Sequence, residues 1–194
     1  MSLARKTCLV GLCVLLSGAL PLSANAADLR SIEVWQEGNR YHLISESLIG
    51  ASQEALYNVL IDYEQFKHFT SAIVASNNVE AGEDGRPRFF TRMRGCVLLY
   101  CHTFIRRGYL LLTPKHDIVA VIDPEESDFE FSREQWQLIS EGEDTLMIYQ
   151  FEMEPGFWLP PFIGPYYLKR VLRSGSIRTI QRIEAIARGE RPRP

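Results

Sequence analysis

Apolar and polar residues alternate loosely over residues 31–36 and again over 41–49, with Glu37-Gly38-Asn39 between them as a turn-forming group. That pattern predicts two strands joined by a tight turn. The period then changes. Leu56, Val59, Leu60 and Tyr63 recur at helical spacing after Ser52, a residue suited to cap a helix, with Glu54 in the first turn. A second short helical turn is expected over 64–69. Strand-like runs follow at 72–80, 87–94, 102–113, 117–123, 128–139 and 145–154, separated by "AGEDGRP", "TPKH", "PEES" and "SEGED". The stretch "EPGFWLPPFIGP" ends the series. Residues 163–188 then read as one long helix, with no proline between Pro165 and its end.

Helices at the two ends of a run of antiparallel strands define an α+β class rather than a parallel α/β fold. The long final helix must bury one stripe, and the concave face of a strongly curved sheet is the place for it. The runs at 87–94 and 102–113 hold a further constraint. As one strand, residues 87–113 would span roughly 90 Å, far beyond ordinary strand lengths. The chain must therefore reverse within them. Gly95 is the breaker near the middle, and Cys96 and Cys101 flank the four residues "VLLY".

The N-terminus decides how those cysteines are read. Arg5 and Lys6 precede an apolar run from Cys8 to Leu20, and Ala24-Asn25-Ala26 has the small-x-small form of a signal peptidase site. The run is shorter than the roughly 20 residues of a membrane span, and Pro21 interrupts it. The expectation is a signal peptide over 1–26, one domain over 27–194, and a periplasmic or secreted protein. Cleavage removes Cys8 and Cys13 and leaves Cys96 and Cys101 in an oxidising compartment. In an extended strand they would lie roughly 16 Å apart on opposite faces, whereas across a hairpin they come within bonding range. A hairpin tip pinned by a Cys96–Cys101 disulfide is expected.

Charge divides the chain. Residues 27–162 hold 11 Lys and Arg against 22 Asp and Glu, net −11, and residues 163–194 hold 8 against 2, net +6. The basic end is either a solvated helix face pairing with the acidic body or a contact with an anionic membrane. Nucleic acid is not an expected partner of an exported, net acidic chain. The inventory argues against a catalyst. His42, His68, His102 and His116 are scattered without metal-ligand spacing, and no nucleophile-elbow, phosphate-loop or metalloprotease motif occurs. No catalytic residue, metal or cofactor is expected.

The stretch "ALYNVLIDYEQFKHF" with "SAIVASNNVE" behind it, the later "REQWQLISEGEDTLMIYQFEMEP", and the long final helix resemble the START-like (Bet v 1-like, SRPBCC) superfamily. The nearest group is that of coenzyme Q-binding proteins and polyketide cyclases. Leu60-Ile61-Asp62-Tyr63 followed by Phe66 and Phe69 carries the first motif, and Trp136, Leu138 and Tyr149 carry the second. The resemblance covers essentially the whole chain from residue 27. It implies a helix-grip fold, a curved antiparallel sheet wrapped around a long C-terminal helix, enclosing an apolar cavity for a hydrophobic small molecule or lipid. The expected lining is Phe89, Met93 and Phe104 from the central strands and Trp136, Leu138, Met147, Tyr149 and Phe151 from the last two. Tyr167 and Val171 would line it from the final helix.

Phe157, Trp158, Phe162 and Tyr166 with Lys169, Arg170 and Arg173 are expected at the cavity mouth or on a membrane. The signal peptide and the cysteine-flanked "VLLY" depart from intracellular members and count against a mitochondrial quinone role or a ribosome-directed one. Lipid or isoprenoid binding is the leading expectation. A cyclase or hydrolase using the same cavity is the alternative, marked by convergent Tyr, Arg, Asp or Glu side chains. A partner-binding module with a filled core is the third reading.

Overall fold

Strict inside–outside alternation builds the scaffold. In β2 (Arg40–Ile49), Tyr41, Leu43, Ser45, Ser47 and Ile49 all point inward and are buried. β1 (Asp28–Glu37) joins it through a turn in which Gly38 adopts φ +58°, open to glycine without a steric cost. The structure, a computed structural model, describes residues 27–97, 100–157 and 163–192. The expected signal peptide lies outside the described residues, as do Trp158 and Phe162.

After β2 come α1 (Gln53–Ile61) and α2 (Phe66–Phe69), then β3 (Ile73–Val79), β4 (Arg88–Val97), β5 (Tyr100–Thr113) and β6 (Asp117–Ile122). A short 3-10 turn at Pro124–Glu126 leads to β7 (Phe129–Glu141) and β8 (Asp144–Pro155). The eight strands form one antiparallel sheet in the order β1-β2-β8-β7-β6-β5-β4-β3. Ser52 caps α1 as expected, its Oγ accepting from the Ala55 N–H at 3.3 Å.

The final helix departs from the expectation of one continuous rod. It is two segments, α3 (Ile163–Ser174) and α4 (Ser176–Ala187), interrupted at Gly175. Ser174 and Ser176 hydroxyls donate back to the Val171 and Leu172 carbonyls, competing with the helical ladder beside a residue of low helix propensity. α4 turns Ile180 and Ile183 into the core and packs on α1, α2, β1 and β2. α3 packs on β1 and α4. Buried Glu184 fixes α4 to the chain entering α1. It accepts from the Gly50 N–H at 3.0 Å and pairs with Arg188, which donates to the Gly50 carbonyl.

The reversal inside residues 87–113 is present, and tighter than a four-residue loop. Val97 pairs with Tyr100, Cys96 lies directly opposite Cys101, and the two are disulfide-bonded with Cα atoms 3.9 Å apart. Leu98 and Leu99 lie outside the described residues. Closing so short a loop stabilises a chain by about 2 kcal/mol. Cys101→Ser is therefore expected to speed amide exchange in β4 and β5 near the tip while costing no more than that globally. Two free thiols in protein unfolded without reductant would contradict the bond.

Candidate functional site: a buried polar centre ringed by aromatics

Two charged side chains lie in rows that the pleat turns inward. Arg106 follows Phe104 and precedes Gly108 and Leu110 in the inward row of β5. Glu134 lies between Ser132 and Trp136 in that of β7, where a bulge between Phe129 and Phe131 resets the parity. Arg106 is 4% exposed and Glu134 8%. They meet across the sheet, Arg106 Nη1 donating to Glu134 Oε1 at 3.2 Å, and the Tyr149 hydroxyl donates to the same oxygen at 3.0 Å.

Aromatic rings close a circuit around this pair. The Arg106 guanidinium lies 5.9 Å from the Phe89 ring centre and 5.6 Å from that of Phe151. Phe89 stacks on Tyr63 at 4.6 Å, Tyr63 on Phe66 at 4.0 Å, and Phe66 meets Trp136 edge-on at 6.1 Å. Trp136 lies 5.4 Å from Tyr149, which stacks on Phe151 at 6.4 Å. Tyr63 comes from the link between α1 and α2 and Phe66 opens α2, so the helical segment supplies one side of the ring and the sheet the rest.

The centre is incompletely satisfied. Arg106 Nε and Nη2, Glu134 Oε2, the Tyr63 hydroxyl, Thr91 Oγ1 and Ser132 Oγ are buried and have no protein hydrogen-bond partner. Each such group costs roughly 1–3 kcal/mol when nothing satisfies it. Together they offer both donors and acceptors inside an apolar shell.

The electrostatics keep the two phenols of the centre protonated. Burial first, then the Glu134 charge, pushes the Tyr63 and Tyr149 phenols well above their ordinary value, so both stay neutral. Burial pulls the Arg106 guanidinium down, but Glu134 together with Tyr63 and Tyr149 outweighs it and the net shift is upward.

The sequence-derived residues divide between places. Phe89, Trp136, Tyr149 and Phe151 belong to the ring. Leu138 and Met147 are buried in the core, and Met93 packs partly buried against it. Phe104 belongs to a second cluster, 4.2 Å from Phe157 and near His102 and Phe129, next to the disulfide end of the sheet. Phe157 is thus packed against β5. Tyr167 is half-buried, while Val171 is 44% exposed and lies outside the interior expected for it, because α3 turns that face to solvent.

Arg106, Glu134, Tyr63 and Thr91 were not among the expected site residues. The signal for the first two was a charge in the inward parity of a strand. Tyr166 is 69% exposed. Lys169, Arg170, Arg173 and Arg178 make no ion pair among the described residues. Among those residues no group of His, Cys, Asp and Glu could hold a metal.

A curved eight-stranded antiparallel sheet with the C-terminal helices packed against it is a START-like fold. The chain belongs to the polyketide cyclase / dehydrase and lipid transport family, whose profile matches residues 49–174. A comparison with curated proteins gives no significant match. Among solved structures, a STAR-related lipid transfer protein from Xanthomonas axonopodis is similar at 12% identity and TM-score 0.62, over 84% of this chain and 99% of that one. A START superfamily protein from Mycobacterium smegmatis shares 15% identity at TM-score 0.58, over 76% and 97%. The Zhui aromatase/cyclase from Streptomyces sp. R1128 shares 14% at TM-score 0.55, over 77% and 94%. The fold family thus includes lipid transfer proteins and aromatase/cyclases.

Proposed function

We propose that the protein is exported and binds a hydrophobic lipid or isoprenoid between sheet and final helices. The ligand's single polar end, a hydroxyl or carbonyl, is held by Arg106 and Glu134. The observation that carries this reading is the set of unpartnered Arg106 and Glu134 atoms inside an aromatic ring. A hydroxyl can accept from Arg106 and donate to Glu134 Oε2, while its apolar body is driven in by burial at roughly 25 cal/mol per Å² before entropic costs. Contact of α3 with an anionic membrane, through Lys169, Arg170 and Arg173, would bring ligand and protein together.

The convergence of Arg106, Glu134, Tyr149 and Tyr63 is also what a cyclase would need, and it keeps an enzyme as the second reading. Binding is placed first because the polar pair is enclosed by a continuous ring of aromatic side chains suited to an apolar ligand body. Native mass spectrometry of protein taken from its export compartment tests the proposal. A co-purified lipid bearing one hydroxyl or carbonyl is expected, on a chain beginning at Ala27. Protein that is free of lipid and also fails to take up long-chain alcohols or isoprenoid quinones would overturn it.

A further inference from the structure

The outer face of the sheet is not uniform. Toward β1 and β2 its arginines are neutralised: Arg30 pairs with Glu141 at 3.2 Å and Arg40 with Glu154 at 3.4 Å. On β4 and β5 the pattern differs. Because Phe89, Thr91 and Met93 face inward, Arg88, Phe90, Arg92 and Arg94 share the outer row of β4, and register places Arg107 opposite Phe90. No carboxylate occupies an outward position on β3, β4 or β5.

Arg92 and Arg107 lie 5.7 and 5.2 Å from the Phe90 ring centre, an arrangement that holds guanidinium groups on the surface without neutralising them. Arg92, Arg94 and Arg107 take part in no ion pair among the described residues. Asp84, at the margin, is bonded to Arg86 and feels the charge of Arg88, whose Nε has no hydrogen-bond partner. This is a cationic patch on a body of net charge −11, and its outward rows are spaced for several anionic groups at once rather than for one carboxylate.

We infer that this face is a second docking surface for phosphate-bearing lipid headgroups, so that one molecule can hold two anionic bilayers. The other surface is the exposed side of α3 and α4, where Tyr166, Val171 and Ile177 interleave with Arg170, Arg173 and Arg178. The two surfaces are on opposite sides of the sheet, since the helices pack on its inner face and the arginines project from its outer one. The inference rests on the proposed contact of α3 with a membrane and adds the second attachment.

The test uses the full mature chain with vesicles of phosphatidylglycerol and phosphatidylcholine at low salt, reading binding by co-sedimentation and clustering by light scattering. Wild-type protein should do both, and salt should weaken clustering first. Arg92→Glu/Arg94→Glu should slow clustering at least about tenfold and leave co-sedimentation near wild type through α3. Arg170→Glu/Arg173→Glu should likewise lose clustering and keep binding through the sheet. Wild type that co-sediments without clustering overturns the second surface alone, as does clustering that survives Arg92→Glu/Arg94→Glu. No co-sedimentation at all overturns the membrane contact as well. An unchanged melting temperature for both variants excludes misfolding as the cause.

Discussion

Arg106→Met alone is expected to destabilise the folded chain by about 3–5 kcal/mol, and Arg106→Met with Glu134→Leu to recover most of that loss. The single change leaves the Glu134 carboxylate buried with Tyr149 as its one hydrogen-bond donor. The double change removes both charges from an aromatic shell already shaped for apolar side chains. Coulomb attraction within such a pair offsets the desolvation of its two members but seldom exceeds it, so an apolar replacement of similar volume is tolerated.

Urea unfolding of the four proteins of the cycle measures the coupling. The double variant also separates stability from function: it should fold, and it should no longer retain a ligand through a hydroxyl or carbonyl. A single variant costing under about 1 kcal/mol would show instead that water reaches the pair, since exposed ion pairs are worth no more than that. In that case the polar centre could not discriminate one ligand end from bulk solvent.

The fold was legible because its constraints are local or metric. Residues 87–113 were too long for one strand, which forced a hairpin and placed Cys96 opposite Cys101. Alternation in "QWQL" and "MIYQFEM" puts Trp136 with Leu138 and Met147 with Phe151 on shared strand faces, and the structure turns those faces inward. The polar centre was missed because a charged side chain is ordinarily solvated, and Arg106 and Glu134 are far apart in sequence. Nothing local ties them together, although each breaks the apolar parity of its own strand. Spacing puts Tyr63 on an apolar helical face, and its ring does pack; only the structure shows that its hydroxyl is buried toward the same charges. Val171 failed for a different reason. α3 has apolar residues on both sides, so spacing alone does not set the rotation of the helix about its axis.

Gly108→Ala is expected to cost about 3 kcal/mol or more, at or beyond the upper end of ordinary overpacking, and Gly108→Val to prevent folding. Gly108 lies opposite Ile122, the last residue of β6, in the inward row between Arg106 and Leu110. A Cβ there would collide with the Val121 carbonyl oxygen and stand 2.7 Å from the Ile122 Cα. Those are backbone atoms, so no side-chain rotation relieves the clash and β5 must move away from β6. The pair bridging Arg106 and Glu134 reaches across that strand, and separating the strands pulls it apart.

Gly95→Ala is the control. Its Cβ would meet only Phe104 Cε2, at 3.2 Å, the outer edge of a half-buried ring that can turn. Its effect should stay within about 1 kcal/mol in either direction, the size of a glycine-to-alanine change where the backbone conformation is compatible. Thermal unfolding of both alanine variants gives the comparison directly. Equal, small losses would mean that β5 and β6 are free to separate at Gly108, and that the position of Arg106 over Glu134 does not depend on their close approach.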